Sequence, residues 1–331
     1  MKSTIILIAF LLLSIVVIPV ASLIGGQSIP LSVVFDSASD EAASMIFRQI
    51  RLPRACLAWI AGAGLALAGM AFQALFRNAL ATPFTLGVSS GASFGAAVGM
   101  RSGLGVLFFG FSDVSVGAML GALLAIFLVY GLTRVKRDCS TATMLLAGVA
   151  VNFFFSSLIL LIQYTADFYD TFRILRWLMG GFQMVGFDAP LQALPFVIVG
   201  AGLLAALVGE LNLLTTGEEL AASRGVAVQR IKLLLFFSVS VMVGVIVSIC
   251  GPVGFVGLMC PHICRLLVGT DHRKLLPATL LFGGFFLVVC DTAARAIFAP
   301  TELPVGICTA FLGAPFFLWL LLRPQKGGMS L

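Results

Sequence analysis

Residues 250–277 read CGPVGFVGLMCPHICRLLVGTDHRKLLP. This window holds both histidines of the chain, His262 and His272, and three of its seven cysteines, Cys250, Cys260 and Cys264. Taken as ligands, they would make a metal module; taken as architecture, they sit in an interrupted apolar helix. The spacing decides between the two. Residues two apart on a helix point about 200° away from each other, so C-x-H-x-C over 260–264 converges on one ion only if the backbone is extended. Structural zinc sites gather four Cys or His ligands at other spacings, and His272 stands in a polar turn that nothing obliges to fold back. No metal ligand is assigned. Gly251, Pro252, Gly254, Gly257 and Pro261 instead break what would be one long apolar helix. In hydrocarbon such a break is tolerated where protein or a water-filled cavity satisfies the freed backbone groups.

Composition places the break in a membrane. The chain is 60% hydrophobic and 10% charged, whereas a soluble domain carries about 25% charged residues. Apolar segments recur at about 4–24, 54–76, 83–100, 115–133, 142–164, 191–209, 231–250, 275–298 and 304–322, with a shorter tenth at 256–268. A helix of about 20 such residues crosses the hydrocarbon. The pattern predicts an all-α polytopic membrane protein with about ten transmembrane helices in one domain over residues 1–331. The run from Ile5 to Leu23 also resembles a signal peptide, but it is long for one, and only Lys2 precedes it. The cysteines form no even-numbered framework and are read as small buried hydrophobes.

The net charge of +6 comes without any dense Lys/Arg cluster, so no nucleic-acid partner is expected. It reports orientation instead. With ten crossings and a cytoplasmic N-terminus, thirteen of the 20 Lys and Arg fall on the inner side, Lys136, Arg137 and Lys232 among them. Seven remain outside: Arg48, Arg51, Arg54, Arg101, Arg173, Arg176 and Arg295. The positive-inside rule then puts both termini in the cytoplasm.

In the third segment Gly87, Gly91, Gly95 and Gly99 fall four apart, leaving one helix face almost without side chains. That face suits close packing within the chain or a dimer seam. The hydrophilic stretch from Glu210 to Lys232 predicts a short capped helix. Thr216 precedes Glu219 at capping-box spacing, Glu218 and Glu219 suit the start, Arg224 suits the end, and Gly225 supplies a left-handed stop. Such a helix is either inert or a docking element for a soluble partner. No G-x-x-x-x-G-K-[ST] pattern occurs, so any ATPase must be another polypeptide.

Asp291 and Arg295, four apart near the end of the ninth segment, are spaced for an ion pair or for part of a proton relay. An ion-coupled carrier would offer unpaired acids at mid-membrane, and most acids here lie in loops or near helix ends. No G-x-S-x-G elbow is present and both histidines share one region, which argues against an enzyme.

Several motifs together resemble the FecCD family of ABC importer permeases: Ile50-Arg-Leu-Pro-Arg54, Gly69-Met-Ala-Phe-Gln-Ala-Leu-Phe-Arg-Asn-Ala-Leu-Ala-Thr-Pro83 and Leu86-Gly-Val-Ser-Ser-Gly-Ala92. Leu145-Leu-Ala-Gly-Val149, Trp177-Leu-Met-Gly-Gly181, Gly254-Phe-Val-Gly-Leu-Met-Cys-Pro-His-Ile-Cys-Arg265, Thr301-Glu-Leu-Pro-Val-Gly306 and Leu312-Gly-Ala-Pro-Phe-Phe317 continue the series in the family's order. The resemblance implies a BtuC-like type II ABC importer permease fold, paired with a second copy or a close homologue. Its partners would be two ABC ATPase subunits, a substrate-binding protein and the lipid of a bacterial inner membrane. ATP and Mg would be bound by the ATPases, with no cofactor in this chain. The implied cargo is an iron–siderophore or related metal chelate, with cobalamin or haem as alternatives, moved by alternating access. Coupling to the ATPases would fall on residues 215–230, above all Thr216, Gly217, Glu218, Glu219, Leu220, Ala221, Arg224 and Gly225. A cytoplasmic gate would fall on Asn78 and Leu80 with Ser140 and Thr141. Arg173, Arg176 and Trp177 would stand at the outer mouth. The family often reads Asn-Pro-Leu-Ala where this chain has Asn78-Ala-Leu-Ala81, which puts the local turn geometry in question.

Overall fold

The computed structural model describes residues 2–25, 29, 41–103, 110–135, 141–182, 184–297, 299 and 301–322. Every predicted apolar segment is helical. The elements are α1 Lys2–Leu23, α2 Glu41–Met45, a π-helical turn Ile46–Arg51 leading into α3 Leu52–Phe76, α4 Val88–Ser102, α5 Asp113–Val135, α6 Thr141–Thr165, α7 Phe168–Leu178, α8 Asp188–Ala206, α9 Val208–Thr216, α10 Glu218–Ser223, α11 Val228–Cys250, α12 Val256–Val268, α13 His272–Ala296 and α14 Val305–Leu322. Among the described residues, seven helical stretches are long and apolar enough to cross a membrane, and α12 and α14 are shorter apolar helices. The third segment starts later than its composition suggests. Residues 83–87 form turns, with the Gly87 N–H donating to the Phe84 carbonyl at 3.2 Å, and Gly87 at φ +80° delays the helix to Val88. The chain packs as two compact units, Met1–Leu67 with Gly180–Ile198 and Val253–Leu331, and Ala68–Met179 with Val199–Pro252. One of the boundaries between them is the Gly251–Pro252 break.

In the first unit α3 and α13 meet through glycines. A Cβ on Gly62 would collide with the Gly283 carbonyl, and one on Gly283 with the Ala66 side chain. Ser14 of α1 donates to the Leu281 carbonyl at 2.9 Å, and Phe10 rests on Phe282. After the break, Phe255 adopts φ +65° and its ring fills the space that Gly313 leaves open on α14.

The expected pair of Asp291 and Arg295 is present, at 3.1 Å, but it is half of a larger node. Arg54 of α3 reaches the same carboxylate with two nitrogens, the closer at 2.9 Å, and holds Glu302 at 2.6 Å. Arg295 also donates to the carbonyls of Ile24 and Ala21, and Arg51 to that of Leu23, so the open C-terminal carbonyls of α1 gain donors. Asp291 is 1% exposed and is the shared acceptor of two guanidiniums, which is a structural pairing.

In the second unit α4 crosses α5 along the predicted glycine face. Added Cβ atoms on Gly91 and Gly95 would strike the carbonyls of Gly121 and Gly117, and one on Gly99 would meet Asp113 and Val114. Gly87 precedes the helix and faces Val151 of α6 instead. The face therefore packs within the chain, against a second glycine pair, Gly117 and Gly121, whose complementary spacing is equally readable in the sequence. Phe72 stacks on Phe236 deeper in the same unit.

Two outcomes are expected. Asp291→Ala removes the carboxylate shared by two buried guanidiniums and lowers stability by about 3–5 kcal/mol, as removing one partner of a buried ion pair does; a melting curve of the detergent-solubilised protein measures it. Gly95→Leu forces α4 off α5 and abolishes monodisperse protein on size exclusion. Gly131→Leu on the same α5 is tolerated, because nothing lies within 4 Å of its Cβ position.

Candidate coupling helix and gate turn

The loop helix is shorter than its caps predict. Thr216 is the last residue of α9, and its hydroxyl donates back to the Leu213 carbonyl at 2.7 Å, so no capping box with Glu219 forms. Gly217 stands between the helices at φ 131°, ψ 147°, a conformation that L side chains rarely adopt. That sharp turn keeps Thr216 inside the preceding helix and makes Gly217 the N-cap. The C-terminal prediction holds. Gly225 is left-handed at φ +86°, its N–H donates to the Ala222 carbonyl, and the Val226 N–H reaches the Ala221 carbonyl at 3.1 Å. These two bonds make a Schellman motif, which closes the helix after Arg224.

The six residues of α10 divide into two faces. Ala221 is fully buried, and Glu218 receives the ammonium of Lys232 at 2.6 Å. Glu219, Leu220, Ala222, Ser223 and the capping Arg224 are exposed, Leu220 at 45%. Lys232 lies on the first turns of α11 and is 3% exposed. Sequence reading counted it only as a positive charge. The missed signal was the position of Lys232, two residues further into the apolar run than the exposed Arg230, where a cation in a membrane protein calls for a named acid. Removing Glu218 would leave that ammonium buried and unpaired.

The candidate gate turn follows α3. Arg77 adopts φ +48°, and the Asn78 N–H donates to the Gln73 carbonyl at 3.2 Å, closing the helix as a left-handed glycine usually does. The Asn78 side chain then accepts from the Leu80 N–H at 2.9 Å, and its carbonyl from the Ala81 N–H at 3.1 Å. An Asx turn thus forms here without a proline at position 79. Leu80 is exposed at the tip. Arg77 lies alongside α10: its Nη1 is 3.9 Å from where a Cβ on Gly217 would sit. Ser140 lies outside the described residues, and Thr141 opens α6.

The predicted outer-mouth residues share one amphipathic helix, α7. Its N-terminus is capped by the Asp167 carboxylate, which accepts from the Asp170 N–H at 2.8 Å, a cap that the sequence reading missed. Arg173 and Arg176 are exposed; Arg173 lies 3.6 Å from Asp170 and above the Tyr169 ring. Trp177, half-buried, packs against the buried cluster of Ala97, Met100, Ile159 and Ile174. It is a packing residue. Tyr164, near the end of α6, and Phe168, at the start of α7, are exposed at 89% and 88%.

Among the described residues no group of three His, Cys, Asp or Glu could hold a metal ion. His262 packs edge-on against Phe316, and neither ring nitrogen has a hydrogen-bond partner among the described residues. It is a packing residue without the hydrogen bond that a polar ring at a helix break would suggest.

The FecCD transport family model matches residues 6–323. A cobalamin import system permease protein, BtuC, of Halobacterium salinarum is 44% identical over 281 residues, which cover 85% of this chain and 74% of that one. The hemin transport system permease protein HmuU of Yersinia pestis is 35% identical over 323 residues, 97% of this chain and 96% of that one. A solved structure described as an inward-facing conformation of an ABC transporter assigned to the metal-chelate type superposes with a TM-score of 0.83 at 33% identity, covering 97% of this chain and 99% of that one. A match that runs from residue 6 to residue 323 leaves almost none of the membrane frame outside it: the chain belongs to the FecCD transport family and is a multi-pass ABC importer permease, a transport subunit and not an enzyme.

Proposed function

We propose that this permease carries a bulky metal chelate, an anionic ferric siderophore complex before others, across a bacterial cytoplasmic membrane by alternating access. Two separate ABC ATPases bind the exposed face of α10, a second copy or close homologue completes the pore, and a binding protein delivers cargo from outside. Both termini lie in the cytoplasm. ATP and Mg belong to the ATPases. Their closure moves α10 and, through it, the gate turn at Asn78 and Leu80.

The observation that carries the coupling assignment is the division of α10, one face pinned and the other open, in a chain without a nucleotide-binding pattern. A rigid capped helix with a free face suits a soluble partner better than a connector would. The cargo reading rests on Arg173 and Arg176, exposed on α7 beside aromatic rings that suit a flat or aromatic anionic chelate. A corrinoid or haem cargo is the second reading, supported by relatives named as cobalamin and hemin permeases.

Two measurements test these assignments. Glu219→Arg and Leu220→Asp, both on the open face, are expected to abolish co-purification of the ATPase subunits while the permease remains monodisperse; retained ATPase refutes the docking face. In proteoliposomes with the binding protein present, Arg173→Glu with Arg176→Glu is expected to cut uptake of an anionic ferric chelate tenfold or more. Unchanged ferric uptake alongside robust cobalamin uptake selects the second reading.

A further inference from the structure

The exposed face of α10 accounts for docking, but docking alone moves nothing inside the membrane. A six-residue helix between two turns would rock on its loops unless something fixed it to a span. One polar contact is placed to do that. Glu218 opens α10, Lys232 stands on the fifth residue of α11, and their side chains meet at 2.6 Å with the ammonium shielded from solvent. Between the two helices lie only the Schellman turn at Gly225 and the link through Ala227. Ala221, on the same inward face, is completely buried. The contact is charged, buried on one side and short in sequence, and it is also directional, because it joins the start of α10 to the start of a span that runs to the Gly251–Pro252 break.

The junction has a second neighbour. Arg77, in its left-handed conformation at the end of α3, lies against Gly217, immediately before Glu218. The N-terminal end of α10 thus has Lys232 on one side and the Arg77 guanidinium on the other.

We propose that the Glu218–Lys232 ion pair is the strut that transmits movement of α10 into α11, so that Glu218 and Lys232 are positioning residues for transport and not contacts of the ATPase. This rests on the reading of α10 as the coupling helix. Glu218, grouped by sequence with the docking residues, is thereby reassigned to the inward side.

The test compares association, ATP hydrolysis and transport in the assembled permease–ATPase complex. Lys232→Met is expected to retain ATPase subunits on co-purification and to hydrolyse ATP within twofold of the parent, while cargo moved per ATP falls at least fivefold. The charge exchange Glu218→Lys with Lys232→Glu is expected to restore more than half of that ratio. A merely stabilising pair would lower yield and rescue yield without changing the ratio among the molecules that assemble. If Lys232→Met does not assemble, Glu218→Gln, whose side chain is partly exposed, is read by the same ratio. Cargo per ATP unchanged in every assembled variant overturns the strut, as does loss of ATPase association in Glu218→Gln. Glu219→Arg serves as the separating control. If it leaves the ATPase bound, the coupling-helix reading itself fails; if it releases the ATPase while Lys232→Met transports normally, only the strut fails.

Discussion

Helices in a membrane cannot rely on burying apolar surface against one another, because lipid is as apolar as leucine. What remains is close approach, and in this chain it rests on glycine meeting glycine. Gly91 and Gly95 face Gly121 and Gly117 in one unit, and Gly62 faces Gly283 in the other. At each crossing the backbone of one helix occupies the volume that a side chain would need. Dispersion contacts fall off within about an ångström of their optimum, so these positions tolerate no bulk. Within each unit the crossing is therefore held at backbone contact, with no slack for a larger side chain.

Charge is handled in the same sparing way. The buried ions are shared: Asp291 serves Arg54 and Arg295, and the spare donors of the arginines close the carbonyl end of α1. Lys232 has its own acid. Each node sits where a helix begins or ends, the place where backbone groups already need partners, so one side chain meets two demands.

Much of this was legible in the sequence. The ten apolar segments emerge as helices because length and composition alone determine what can cross hydrocarbon. The glycine face at 91, 95 and 99, the stop at Gly225 and the pairing of Asp291 with Arg295 follow from spacings within one helix or one turn. The missing parts depend on residues distant in the chain or on backbone turns that side-chain pattern does not encode. Arg54 reaches Asp291 across 237 positions, and no periodicity connects them. The capping box at Thr216 failed because Gly217, free to take a conformation closed to other residues, turned the chain one residue later than the motif requires. Trp177 shares a helix with two exposed arginines and stands four residues after Arg173, but it packs against Ala97, Met100, Ile159 and Ile174, a cluster drawn from three helices that no spacing within α7 reveals.

The turn at Asn78 has a kinetic consequence. A proline ring at position 79 would hold φ near −65° in every state of the protein, whereas here the turn is held by hydrogen bonds, among them the one that the Asn78 side-chain amide accepts at 2.9 Å. Such a bond contributes about 1 kcal/mol net, close to the thermal energy. The loop can therefore unlatch and relatch with a side-chain rotation, with no covalent constraint to work against. The gap left by the missing proline is thus spanned by hydrogen bonds, which a side-chain rotation can break and remake.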